Sequence, residues 1–182
     1  GLDLADLDGD GDLDAFVTNI SQANKVWIND GNGIFSTNGQ SLGSSKSYGV
    51  KLADLDGDGD MDAFIANYQQ ANKVWFNDGN GNFTDSGQSL GTWYSWDVDM
   101  ADLDGDGLDE LIVVLASSGG GRIQVVNLSG LTLWTQSTGL LGRTSTPLVA
   151  DIDGDQSFDV VVVGADGQVN AWTGTGELKR GW

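Results

Sequence analysis

Hydrophobic positions along this chain come in short runs of about four residues, separated by clusters of Asp, Gly and Asn. The second repeat shows the pattern best. Val50-Lys51-Leu52-Ala53 leads into an acidic turn, Ala63-Phe64-Ile65-Ala66 follows, and Lys73-Val74-Trp75-Phe76 comes third, closed by Asn77-Asp78-Gly79-Asn80-Gly81. Phe83 then opens a more polar stretch that runs towards Leu90. β-branched and aromatic residues bounded by Asn-Gly and Asp-Gly predict strands joined by tight turns. No capped ten-residue segment carries apolar residues at a spacing of 3.6, so the chain reads as all-β.

The pattern repeats. Acidic turns begin at Asp6, Asp54, Asp102 and Asp151, which divides the chain into units 1–48, 49–96, 97–145 and 146–182. The first two units are identical at 32 of 48 aligned positions and must share one structure. Four short antiparallel strands in a repeat of this length predict the blade of a β-propeller rather than a solenoid or an up-and-down barrel. The expectation is one propeller segment over 1–182 with about four blades. The last unit reaches Arg180-Gly181-Trp182 where a fourth strand should be under way. Four blades could close alone, or a second copy could complete an eight-bladed ring; the expectation is a larger ring, completed by a second copy or by further sequence of a parent chain, which would cover the outer blade faces.

The turns carry the chemistry. The first reads Asp6-Leu7-Asp8-Gly9-Asp10-Gly11-Asp12-Leu13-Asp14. Alternate residues of a tight turn face one centre, so Asp6, Asp8 and Asp10 at positions 1, 3 and 5 point inwards. Asp12 at position 7 offers its backbone carbonyl, and Asp14 at position 9 adds a further carboxylate. Several hard oxygen ligands in a flexible loop suit Ca²⁺ better than Mg²⁺. The second loop supplies Asp54, Asp56, Asp58, Asp60 and Asp62 in the same order. The third supplies Asp102, Asp104, Asp106, Leu108 and Glu110, and the fourth Asp151, Asp153, Asp155, Ser157 and Asp159. Up to four Ca²⁺ per chain are expected. Gln156 replaces the position-6 glycine in the fourth loop, which predicts strain or a weaker site there. These are not EF-hands, because the position-12 Glu is replaced by Val17, Ile65, Val113 and Val162.

Charge follows from the loops. The formal net charge is -19, from 27 acidic residues against 8 Lys and Arg. That excludes binding to nucleic acid and to anionic membrane surfaces. No apolar run is long enough to insert in a membrane as a helix. The chain has no Cys and no His, no Ser sits in a nucleophile motif, and its carboxylates are assigned to metal, so an enzyme is not expected.

The loops, the apolar strands after them and the Asn-Asp-Gly-Asn-Gly-x-Phe turn resemble FG-GAP/VCBS repeats. That family includes the propellers of integrin α subunits, bacterial surface proteins, some lectins and some polysaccharide lyases. The resemblance implies a calcium-binding module, secreted or at the cell surface, for adhesion or for binding a glycan or an extracellular protein. The alternatives are the propeller part of a secreted carbohydrate-active enzyme of polysaccharide lyase type, or a spacer that calcium rigidifies. Trp93, Tyr94 and Trp96 replace Ser45, Lys46 and Tyr48 of the first unit and form the candidate sugar-stacking platform, unless they pack between blades. Trp27 and Trp75 are expected in the core, and Trp134 and Trp172 between blades.

Overall fold

A computed structural model describes residues 1–91, 94–117, 120–138, 146–164 and 167–179. Trp93 and the 180–182 end, both singled out above, lie outside the described residues. Among the described residues every regular element is a strand, in four antiparallel sheets. Blade 1 is β1 (Leu2–Ala5), β2 (Asp14–Val17), β3 (Lys25–Asn29) and β4 (Phe35–Thr37). Blade 2 is β5 (Ser47–Ala53), β6 (Asp62–Asn67), β7 (Lys73–Asn77) and β8 (Phe83–Asp85). Blade 3 is β9 (Tyr94–Ala101), β10 (Glu110–Ser117), β11 (Gly120–Val126) and β12 (Thr132–Ser137). Blade 4 is β13 (Leu148–Ala150), β14 (Asp159–Val163) and β15 (Val169–Thr173). Its outer edge is marked by the Trp172–Leu178 bridge and by Lys179 N–H donating to Ala171 O at 2.9 Å. Strand order follows chain order in each sheet, as in propeller blades.

The chain divides into two compact units, Gly1–Trp93 and Tyr94–Trp182, each holding two blades. In the first unit Leu7, Phe16, Val26, Leu42, Val50, Leu52, Ala63, Ile65 and Phe83 form one core. Phe16 and Phe83 meet edge to face at 5.1 Å, locking blade 1 to blade 2. In the second unit Leu103, Ile112, Ile123, Val125, Val160, Val162 and Trp172 do the same. The second strand of each blade is the apolar run because it is covered on both sides: all six residues of β6 are buried.

The structure departs from the sequence reading in three places. In blades 1 and 2 the polar fourth strands are short, and after Asn38 and Ser86 the chain pairs with its sheet again at the Asn24–Leu42 and Asn72–Leu90 bridges. In blade 1 the reason is visible: beyond β4, Asn38 and Gln40 turn to the next blade. Asn38 Nδ2 donates to Gly81 O at 2.7 Å, and Phe83 N donates to Gln40 Oε1 at 3.0 Å. Second, β5 begins at Ser47 and β9 at Tyr94, so the first strands of blades 2 and 3 start before positions 49 and 97. Tyr94 and Trp96 therefore sit on a strand, not in a connection. Third, Trp27 is 37% exposed rather than core. Its counterpart Trp75 packs on the first core beside Gly43 of blade 1. Trp172 is buried in the second core and Trp134 packs against that core, at the joint between blades 3 and 4.

Candidate metal centres

Each acidic turn joins the first and second strands of its blade, and the antiparallel order puts it at the same end as the turn between strands 3 and 4. The four loops are wound by their own carboxylates. Asp6 accepts from Gly9 N at 2.8 Å and Gly11 N at 3.0 Å, and Asp10 accepts from Asp12 N at 2.9 Å. Asp54 and Asp58 repeat this towards Gly57, Gly59 and Asp60, and Asp102 and Asp106 towards Gly105, Gly107 and Leu108. Asp8, Asp56 and Asp104 at position 3 each accept from the amide of position 5. Chelate turns of this kind draw the side chains of positions 1, 3 and 5 to one side. In the fourth loop Asp151 receives Gly154 N and Gln156 N, and Asp155 receives Ser157 N.

Carboxylate oxygens converge accordingly. Asp6, Asp8 and Asp10 each bring an oxygen within 4.8 Å of the others, and so do Asp54, Asp56 and Asp58. Asp102, Asp104 and Glu110 form the third group, and Asp151, Asp153 and Asp159 the fourth. Calcium binds oxygen at about 2.3–2.6 Å, which puts opposite ligands roughly 4.6–5.2 Å apart. Each of the four oxygen sets could hold an ion of that size. At position 7 the Asp12 and Asp60 side chains lie against the strand 3–4 turns: a Cβ on Gly79 would stand 2.6 Å from Asp60 Oδ2. Leu108 and Ser157 at that position are exposed.

Position 9 does something that spacing alone did not reveal. Asp14, Asp62, Glu110 and Asp159 are all buried, at 0–2% exposure. Asp14 accepts from Leu7 N at 2.9 Å with one oxygen and from Asn29 N at 2.8 Å with the other. Asp62 does the same with Leu55 N and Asn77 N, and Glu110 accepts from Leu103 N. In loops 1 and 2 the position-9 acid thus staples the turn to the end of the third strand, with lone pairs to spare for an ion. A sequence signal existed: this acid opens the second strand, the most buried one.

The electrostatics record the crowding. Burial pushes the Asp62 carboxyl up to about 6, although the Asn77 and Leu55 amides pull it down and Asp56 and Asp58 add to the rise. Burial and the charges of Asp14 and Asp10 raise Asp8, and burial with Asp58 and Asp78 raises Asp60. Glu110 is raised by burial and by Asp104 and Asp106, against its hydrogen bond from Leu103. Asp151 moves the other way, because the Gln156 and Gly154 amides stabilise its charge. A divalent cation would relieve these repulsions.

The fourth loop differs. Lys179 Nζ lies 2.6 Å from both Asp153 Oδ2 and Asp159 Oδ2. Burial works against its charge, but the bonds to Asp153 and Asp159 outweigh that and hold its pKa above the ordinary value. Gln156 is held at φ 70°, where the other loops place glycines with φ between 89° and 97°.

On the opposite face Tyr94 is 40% exposed and Trp96 is half-buried on β9, while Trp93 lies outside the described residues. The first unit, at the end of its blades away from its own acidic loops, carries a cavity of about 480 Å³, lined by Thr18, Asn19, Ile20, Gln22, Ser47 and Tyr48 among others. No helix of the described residues is long and apolar enough to cross a membrane.

The model of the FG-GAP-like repeat matches residues 6–65 and again 54–113, each match running from one acidic loop through the next to its second strand. Comparison with curated proteins finds no match. Among solved structures, two crystal structures of BBS1N in complex with ARL6DN, soaked with mercury and with lead, match 99% of this chain at 15% identity. Their TM-scores are 0.67 and 0.69, and the chain spans 55% and 56% of those chains, about half their length. The Vibrio cholerae biofilm matrix protein Bap1 matches 98% of this chain and 38% of its own at 19% identity, with a TM-score of 0.48. The BBS1N likeness shows the fold, and the repeat matches, covering more than half of the sequence, show the kinship: this chain belongs to the FG-GAP-like repeat family.

Proposed function

We propose that the chain is a calcium-rigidified extracellular repeat module whose blades present a binding face for a glycan or an extracellular protein. The observation that carries this is the convergence of carboxylate oxygens to within 4.8 Å in the loops, the spacing calcium needs. Burial and like charge already oppose ionisation there, so folding and metal binding are coupled. Calcium is abundant outside cells, where weak and moderate sites fill without regulation; this supports a secreted or surface location. The role is binding rather than catalysis, since the perturbed carboxylates are committed to the loops.

The ion end is built of repeated, self-bonded turns, which leaves the opposite end for recognition. There the first unit offers the cavity beside Tyr48, with Tyr48 and Tyr68 rings 5.5 Å apart, and the second offers Tyr94. Aromatic faces of this kind stack on sugar rings. Calorimetric titration of the intact chain with calcium, followed by a glycan array with and without Tyr94→Ala, tests both halves. Uptake of no calcium defeats the metal reading. Unchanged glycan signals after Tyr94→Ala defeat its assignment as a contact.

A further inference from the structure

We propose that Lys179 is the resident cation of the fourth loop: its ammonium takes the place in the carboxylate cluster that calcium takes in the other three, so blade 4 closes without metal and the chain binds three calcium ions. This deepens the calcium reading and rests on it for the first three loops.

The geometry is that of a built site. Nζ makes two contacts of 2.6 Å, one to position 3 and one to position 9 of the loop. The Lys179 side chain is 13% exposed and that of Asp159 1%. The lysine is also held by its backbone. Lys179 N donates to Ala171 O, and Leu178 bridges the buried Trp172, so the edge of the sheet aims the side chain at the loop. Lys25 and Lys73 on the third strands of blades 1 and 2 stand at the other end of their sheets. They serve Gln40 and Ser41 in one case and Asp85 in the other.

Ser157 stands where the first two loops have Asp12 and Asp60, so the fourth loop, like the third with Leu108, has one carboxylate fewer at the ligand positions. An ammonium donates at about 2.7–2.9 Å and calcium needs its oxygens at about 2.3–2.6 Å. Both cations cannot hold Asp153 and Asp159 in this position at once. Asp159 cannot turn away freely either, because its Oδ2 also receives Ile152 N.

The test is calcium stoichiometry by native mass spectrometry and titration calorimetry, with melting in excess chelator, on the intact chain. Wild type should bind three ions and Lys179→Met four. In chelator the Met variant should melt roughly 10 °C lower, since a buried carboxylate loses its partner, and calcium should restore the loss. Asp153→Asn, which keeps the lysine, should still bind three. Four ions on wild type, three on Lys179→Met, or equal melting in chelator would each overturn the proposal. So would the loss of one ion in Asp153→Asn. A wild type that binds no calcium defeats the calcium reading of the first three loops, and the chelator melts still judge Lys179.

Discussion

The two units build the same joint from different residues. In Gly1–Trp93 the turn of blade 2 covers the loop of blade 1: Asn77 Nδ2 donates to Leu7 O at 2.9 Å, and Leu7 is 1% exposed. In Tyr94–Trp182 the turn of blade 4 covers the loop of blade 3 by close approach. Gly174 lies so near Leu103 O that a Cβ could not fit, and Trp134 Nε1 donates to Gly174 O at 2.7 Å. The common element is a backbone carbonyl at position 2 of an acidic loop, brought under the next blade. One unit satisfies it with a side chain and the other packs glycine against it. Whatever orders the loop therefore also orders the surface on which the next blade rests. The second unit also places a lysine in an acidic loop, since Lys179 reaches Asp153 and Asp159 of loop 4.

Calcium removal is the largest way to break the comparison. A site filled at 100 times its Kd adds about 2.7 kcal/mol, so several sites together should move the melting temperature by more than 10 °C, at about 2–4 °C per kcal/mol for a chain of this size. Hydrogen exchange in chelator should show the Asp6–Asp14 and Asp54–Asp62 segments losing protection before Asp151–Asp159. Equal loss in all three would mean that Lys179 does not distinguish the fourth loop.

The next effect is one of pH, and its sign is set by Asp62. In the unfolded chain its proton leaves near the ordinary value of 3.8; in the folded, metal-free chain it is kept to about 6. Between those values the folded state binds more protons, so stability in chelator should fall as pH rises through the window, by at most about 3 kcal/mol. With calcium the trend reverses, because the ion needs the carboxylate ionised. Melts from pH 4 to 7 in chelator and in calcium should diverge; parallel curves would remove Asp62 from the metal-linked groups.

At the joint the two units should respond differently. Gly174→Ala overpacks a backbone contact and should cost about 1–3 kcal/mol, whereas Asn77→Ala leaves Leu7 O unpaired in a buried place and should cost about 1–2 kcal/mol. Urea titrations measure both. A neutral Gly174→Ala would show that the blade 4 turn shifts freely, and the joint would then owe its order to Trp134.

Much of this was legible in the sequence because a repeated turn repeats its causes. Four in-phase loops locate the blades, and the apolar runs after them locate the buried second strands. What stayed hidden involves partners far apart in the chain. Lys179 meets Asp153 only because an edge strand returns across the sheet, and nothing near either residue announces it. Ser47 Oγ donates to Asn67 Oδ1 at 2.8 Å and accepts from Asn24 Nδ2, forming a buried network between blades that the strand pattern does not announce. The equal spacing of Asn19 and Asn24, and of Asn67 and Asn72, was the available clue. Trp27 and Trp75 show the converse: their neighbours in sequence are nearly the same, yet Trp27 is exposed while Trp75 packs on the core beside Gly43 of blade 1.

The smallest prediction isolates loop geometry from charge. Gln156 stands at φ 70°, and its counterparts Gly11, Gly59 and Gly107 lie between 89° and 97°. A side chain in the left-handed region costs about 1–2 kcal/mol, while glycine adds roughly 0.5–1 kcal/mol of unfolded-state freedom. Gln156→Gly should therefore stabilise the chain by about 0.5–1 kcal/mol, a rise of only a few degrees in melting temperature. The mirror change, Gly59→Gln in loop 2, should destabilise by a similar amount. Because neither substitution alters a carboxylate or Lys179, calcium stoichiometry should be untouched in both. A fall in stability for Gln156→Gly would mean that the Gln156 side chain itself supports the fourth loop, and strain would no longer distinguish that loop from the others.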